Sequence, residues 1–152
     1  MPNTADFYED LVRVSGDAMV VSNAQGLIIL WNAAAERIFG FSEQEALGQP
    51  LDIITPERFR ARHWEGYHKT MATGITRYGA DVLRVPAIHK DGHSLSIAFT
   101  VAMLKAADGR VTAISSTIRD ETSRFIEERN LRKKLAELEE QVKLLQAPGQ
   151  KP

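Results

Sequence analysis

The chain has four histidines and no cysteine, and these facts bound its side-chain chemistry. His63 stands in the segment Pro56-Glu57-Arg58-Phe59-Arg60-Ala61-Arg62-His63-Trp64-Glu65-Gly66-Tyr67. At helical spacing Phe59, His63, Tyr67 and Met71 share one face, which sets an imidazole on an apolar stripe. Such an imidazole is a potential iron ligand, or a core histidine held by a hydrogen bond. His68 lies five residues on, about 140° around the helix at roughly 100° per residue, so the two histidines cannot hold one metal from one face. A solvated His68 is expected. His89 and His93 flank the turn Lys90-Asp91-Gly92, and with only Asp91 nearby they fall short of a good metal site by ligand count. The absence of cysteine removes disulfides, thiolate metal sites, Cys nucleophiles and any light-driven cysteinyl–flavin adduct. Neither a glycine-rich phosphate loop nor a clustered carboxylate–histidine constellation is present, so no enzyme is expected.

The elements that must position these residues follow from local pattern. Asp6 to Val14 reads as a short amphipathic helix, with Phe7, Leu11 and Val14 at spacings of four and three. Ala18–Ser22 and Leu27–Trp31 are two β-branched runs around the turn Asn23-Ala24-Gln25-Gly26, a hairpin. Asn32 is placed to cap a helix over Ala33–Phe39, ended by Gly40. Ser42-Glu43-Gln44-Glu45 matches a capping box and starts another short helix, stopped at Gly48-Gln49-Pro50. Pro56, read as the first helical position, opens the His63 helix, which runs to Thr73 and ends at Gly74. Val82–His89, Ser94–Leu104 and Val111–Ile118, joined by Lys90-Asp91-Gly92 and Ala107-Asp108-Gly109, make a three-stranded antiparallel meander. Within it Leu95, Ile97, Phe99 and Val101 alternate with Ser96, Ala98, Thr100 and Ala102, so one sheet face is built to line a core or a cavity. Trp31 and Trp64 could contact a flat cofactor, though core or helix-packing roles suit them better. The cations near 58–62 read as a solvated helix face.

At 152 residues and a formal net charge of −1, the chain suits one module with an appendage. Charged residues at 26% and hydrophobic ones at 43% exclude disorder and a general attraction to nucleic acid or membrane. No apolar run approaches the roughly 20 residues that span a bilayer, and the first residues carry acids, so a cytoplasmic location is expected.

The order β-β-α-α-α-β-β-β resembles the PAS sensory (S-box) fold. The residues that carry the likeness are Asp17-Ala18-Met19-Val20-Val21, Gly26, Trp31-Asn32-Ala33-Ala34-Ala35-Glu36-Arg37-Ile38-Phe39-Gly40-Phe41-Ser42, Glu45-Ala46-Leu47-Gly48, Lys90-Asp91-Gly92 and Ile118-Arg119-Asp120-Glu121-Thr122. The resemblance implies an α+β fold: a five-stranded antiparallel sheet with helices on one face, followed by a C-terminal helix. It divides the chain into an N-terminal helix over 1–15, the PAS domain over 16–122, a coiled-coil helix over 123–146 and a disordered tail over 147–152.

Within the family, Pro56 to Gly92 is similar to the haem-binding PAS domains of bacterial oxygen sensors, the rhizobial oxygen-sensing histidine kinase and the enterobacterial direct oxygen sensor phosphodiesterase. That resemblance implies His63 as the haem iron ligand, and Tyr67 shares its helix face. It places the kinase's propionate-holding cations on Lys69 and Arg77, as two carboxylates at a pocket mouth require. The apolar gas-side residues of the kinase fall on Tyr78, Phe99 and Val101. The distal side departs from the pattern: the kinase's ligand-gating arginine falls on Leu83, beside Arg84, and the phosphodiesterase's distal methionine falls on Asp81. Leu83 cannot donate a hydrogen bond, so dioxygen loses electrostatic support while the less polar carbon monoxide is less affected. Because PAS domains bind haem, flavins, small acids or nothing, a flavin or small organic ligand is the alternative cofactor reading, and a ligand-free dimerisation module is the other.

Leu131, Leu135, Leu138, Val142 and Leu145 alternate spacings of four and three, a coiled-coil seam for a parallel homodimer. With Leu135 at position a, Glu127 faces Arg132 of the partner helix and Lys134 faces its Glu139, pairs of opposite sign that select register. No kinase, cyclase or DNA-binding signature follows, so an effector acting in trans or beyond this chain is expected.

Overall fold

Local capping chemistry sets most of the element ends. The computed structural model describes residues 3–76 and 79–149. Helix α1 (Thr4–Val14) precedes strands β1 (Ala18–Asn23) and β2 (Ile28–Trp31), then helices α2 (Ala33–Phe39) and α3 (Glu43–Ala46), a 3₁₀ turn at Leu51–Ile53 and helix α4 (Glu57–Thr73). Strands β3 (Leu83–Ile88), β4 (Ser94–Lys105) and β5 (Val111–Asp120) follow, and then helix α5 (Thr122–Gln146). Ser42 Oγ accepts the Glu45 amide at 3.2 Å while the Glu45 carboxylate accepts the Ser42 amide at 2.9 Å, both halves of the expected capping box. Gly40 and Gly74 end α2 and α4 with positive φ of 81° and 66°, which a side chain resists. One detail differs: Pro56 has extended backbone (ψ 138°) and stands as the N-cap of α4, one residue before the first helical position. Proline fixes φ but leaves ψ free, so it serves either place.

The five strands form one antiparallel sheet in the order β2-β1-β5-β4-β3. Register carries one face across it: Leu83 pairs Phe99, Phe99 pairs Ile118, and Ile118 pairs Ala18. The parallel row is Val101, Ser116, Val20 and Trp31, and the next is Met103, Ile114, Ser22 and Ile28. This is the face that α2, α3 and α4 cover. Ala18, Val20, Ile97 and Ile118 pack there with Ala34, Ala35, Phe39 and Ala46 in one cluster, and Tyr67 packs with Val111 and Ile114 in a second. Trp31 and Phe39 are wholly enclosed, their rings 5.4 Å apart, and burial of side chains this size stabilises by about 2–3 kcal/mol each. Trp31 Nε1 donates to the Phe41 carbonyl at 3.0 Å, so its one polar group is also satisfied.

Asn32 ties these layers together. Its Oδ1 accepts the amides of Ala35 and Met19, and its Nδ2 donates to the carbonyls of Val12 and Asp17, all within 3.1 Å. The side chain thus caps α2, closes the start of β1 and anchors the end of α1. Asn32→Ala takes this partner from the Ala35 and Met19 amides and from the part-buried Val12 carbonyl, while the Asp17 carbonyl keeps Ser15 Oγ, a cost of about 2–4 kcal/mol. Thermal unfolding followed by circular dichroism is expected to show a midpoint lower by roughly 5–10 °C, and Asn32→Asp should recover only the acceptor half of the loss.

The chain forms two compact units, residues 1–120 and 121–152. In the second unit α5 is one continuous helix of 25 residues, and Arg124 donates to Glu128 one turn on. Residues 147–149 carry no regular structure, and the rest of the expected tail lies outside the described residues. No helix among the described residues is long and apolar enough to cross a membrane.

Candidate functional site around His63

Helix α4 is laid on the sheet by three side chains in successive turns. Trp64 reaches over the β1–β2 turn, where Gly26 has φ 77° and a Cβ would meet the indole at 2.2 Å. Its Nε1 donates to Asp52 Oδ1 at 2.8 Å. Tyr67, 7% exposed, donates its hydroxyl to the Asn23 carbonyl at 2.6 Å and lies 2.9 Å from Ser22 Oγ. Burial raises the Tyr67 pKa, with the Ser22 hydrogen bond opposing, so the phenol stays protonated and remains a donor. Met71 completes the face by packing against the cluster of Tyr67, Val111 and Ile114.

His63 sits between these anchors, its ring 5.0 Å from Trp64 and 6.0 Å from Tyr67. Its Nδ1 is sealed from solvent and has no hydrogen-bond partner among the described residues. Leaving a buried imidazole nitrogen unpaired costs about 1–3 kcal/mol. Desolvation lowers the His63 pKa, and the Asp52 carboxylate opposes that only in part, so the imidazole is neutral at neutral pH. A neutral imidazole in an apolar wall keeps a lone pair for a Lewis acid. This donor chemistry fits haem iron, and it is set beside Trp64 and Tyr67.

The other candidates are distributed as follows. Leu83 pairs with Phe99 across β3 and β4, both half-buried, and Val101 lies two residues further on the same face. Val101 joins the cluster of Tyr67. Lys69 is exposed on α4, and Arg77 and Tyr78 lie outside the described residues. His68 is exposed and stacks on Trp64 at 5.8 Å, away from the His63 nitrogen. Tyr67 was expected to face a cofactor; its hydroxyl is already engaged by β1, so it offers a ring edge and no free polar group. Two residues that sequence reasoning passed over matter here, Asp52 and Ser22. Ser22 had a signal, being the polar third member of the inward set Ala18, Val20, Ser22; Asp52 had none, since its partner Trp64 is twelve residues away.

The PAS fold family model matches residues 6–121. The chain belongs to the PAS family. Among curated relatives, a 122-residue stretch is 30% identical to an uncharacterized protein of Azorhizobium caulinodans, covering 80% of this chain and 16% of that one. A 47-residue stretch is 53% identical to Sensor protein FixL of Bradyrhizobium diazoefficiens, covering 31% of this chain and 9% of that one. The chain thus spans less than a fifth of the length of either relative. Among solved structures, the PAS domain of a Colwellia psychrerythraea protein superposes with a TM-score of 0.69 at 22% identity, covering 80% of this chain and 99% of that one. An RNA-binding Light-Oxygen-Voltage receptor gives 0.69 at 19% identity, covering 90% and 39%. At these identities the structural likeness carries the fold alone.

Proposed function

We propose that this PAS domain is a haem-based sensor of a diatomic gas that signals through a dimeric C-terminal helix. The observation that carries the reading is the buried, unpartnered Nδ1 of a neutral His63 on the helix that covers the sheet. The 53% identical stretch shared with a sensor protein supports it. Haem, when bound, supplies an iron centre that takes a diatomic gas. His63 holds the iron through its imidazole, and Leu83, Phe99 and Val101 supply an apolar wall that keeps water away. Lys69, and Arg77 beyond the described residues, supply the cations that two propionates need. Leu83 gives the gas no hydrogen bond, which favours a less polar ligand such as carbon monoxide over dioxygen.

Signal leaves along the backbone: β5 borders both core clusters and runs through Glu121 directly into α5. A shift of α4 against Val111 and Ile114 is thereby coupled to the strand whose continuation is the coiled coil, and output is a change in coil register or splay. A flavin is less well served. The inward residues of β4 and β5 from Leu95 to Met103 and from Ile114 to Ile118 include no amide side chain, and a flavin ring edge needs several donors and acceptors.

The optical spectrum of the protein as purified from haem-supplemented cells tests the reading. A Soret band is expected. Paired bands in the blue and near ultraviolet instead would mean flavin, and a featureless visible spectrum would overturn the haem reading in favour of a small organic ligand or a ligand-free module.

A further inference from the structure

A second constellation lies at the β3–β4 turn. A three-residue loop, Lys90-Asp91-Gly92, closes the hairpin: the His89 amide donates to the His93 carbonyl and the Gly92 amide to the His89 carbonyl, each at 2.9 Å, with Gly92 at φ 95°. Residues that face one another across such a closure project to the same side. The imidazoles of His89 and His93 are accordingly stacked, their centroids 4.4 Å apart and their planes 21° from parallel. Asp91 folds back against the Nδ1 edges of both rings. Its Oδ1 accepts the His93 amide at 3.0 Å, contacts His93 Nδ1, and lies 3.2 Å from His89 Nδ1.

We propose that this turn binds one divalent transition-metal ion through His89, Asp91 and His93, independently of any ligand at His63. One donor atom from each residue lies within 4.8 Å of the other two. In a tetrahedral zinc site with bonds of about 2.0–2.2 Å, donor atoms stand roughly 3.3–3.6 Å apart. The widest gap therefore has to close by little more than about 1 Å. The Asp91 and His93 side chains, 63% and 54% exposed, are free to make that movement. His89 is the fixed member. Its side chain is 22% exposed and lies against Gly40, where a Cβ would meet its Nε2 at 2.5 Å. Two imidazoles and one carboxylate select zinc, copper(II) or nickel over calcium and magnesium, which require oxygen ligands, and a solvent-facing site leaves water to complete the coordination.

Ligand count alone argues against this turn as a metal site; the folded hairpin changes the argument by bringing one donor atom of each residue within 4.8 Å of the others. His89 Nδ1 accepts the Asp91 amide at 3.1 Å and has to give up that bond to hold an ion. The site also has a structural reach. The Lys90 amide donates to the Phe39 carbonyl at 2.9 Å, and Lys90 Nζ pairs with Glu45, so the same turn is fastened to the end of α2 and to α3. An ion held there clamps the sheet edge to both short helices and raises the unfolding temperature.

Calorimetric titration of the full chain with zinc in a non-chelating buffer tests the proposal. One ion per chain is expected, with affinity lowered at least about tenfold in His93→Ala, which loses one ligand in three, and in Asp91→Asn, which exchanges an anionic ligand for a weaker neutral one. Asp91→Asn retains an oxygen to accept the His93 amide, so the turn persists while the charge is gone. His68→Ala should bind as wild type does. Substoichiometric copper(II) gives a direct reading in wild-type protein by broadening imidazole proton signals, expected at His89 and His93. Broadening confined to His63 or His68, no zinc uptake at millimolar concentration, or full affinity in the double variant His89→Gln/His93→Ala would overturn the site.

Discussion

Replacing His63 with alanine is expected to abolish haem uptake, while His68→Ala leaves it unchanged. The two histidines stand on one helix five residues apart, yet they differ in the property that iron requires. His63 is a neutral imidazole with a buried, unpartnered nitrogen beside the apolar sheet face. His68 is exposed and spends its ring face on Trp64. Removing a hydrogen-bond partner of a ligating histidine already costs roughly 10–100-fold in metal affinity, and removing the ligand itself costs more. Titration of each variant with hemin, followed at the Soret maximum, reads the difference. His63→Ala deletes an imidazole whose Nδ1 has no hydrogen-bond partner among the described residues, so the domain should stay folded and circular dichroism should be unchanged. Equal haem affinity in the two variants would remove His63 from the site. No uptake by wild type would remove haem altogether, and neither outcome bears on the turn at His89 and His93.

Leu138→Glu is expected to convert a parallel dimer to monomers at micromolar concentration. Leu131, Leu135, Leu138 and Val142 are 48–64% exposed along α5, and Leu145 is 86% exposed. Burial of each leucine against a second copy is worth about 1.5–3 kcal/mol, whereas the flanking Glu127–Arg132 and Lys134–Glu139 pairs add only about 0.3–0.5 kcal/mol each. In the proposed dimer the seam would therefore supply the affinity and the charges the register. Glutamate at the middle of the seam meets its own symmetry mate, where desolvation and like-charge repulsion act in the same direction. The PAS core should survive, because both core clusters are assembled from residues between Ala18 and Ile118. Sedimentation velocity with circular dichroism on Leu138→Glu, and on a chain ending at Glu127, makes the measurement. Should both remain dimeric, the interface lies on the sheet or on α1, whose Phe7, Leu11 and Val14 are also exposed, and output through a coiled coil is wrong.

Capping and alternation were legible because they are local. Ser42 and Glu45 are three residues apart and must meet on any helix that begins there, and Leu95, Ile97, Phe99 and Val101 must share a face of any strand that contains them. The glycine ends of α2 and α4 follow from the same short-range sterics. The family likeness extended this from elements to fold, since its motifs mark the order of turns and caps along most of the chain.

The site was only partly legible. Periodicity put His63 on an inward face, but whether an inward histidine is bonded or orphaned depends on groups remote in sequence. Here the nearby Asp52 accepts from Trp64, and Nδ1 has no partner among the described residues. In the same way Asn32 was readable as a cap of α2, and its reach to Val12, Asp17 and Met19 was not. The sequence by itself determined the elements, their ends, the inward face of each and the leucine seam, because these depend on residues within a turn or two of one another. Only the tertiary structure decided that β1 lies beside β5, that Tyr67 is spent on the sheet while His63 is not, and that His89, Asp91 and His93 converge on one point. Each of these rests on hydrogen bonding and packing between segments that the chain brings together only on folding, and single-residue preferences carry no record of such pairings.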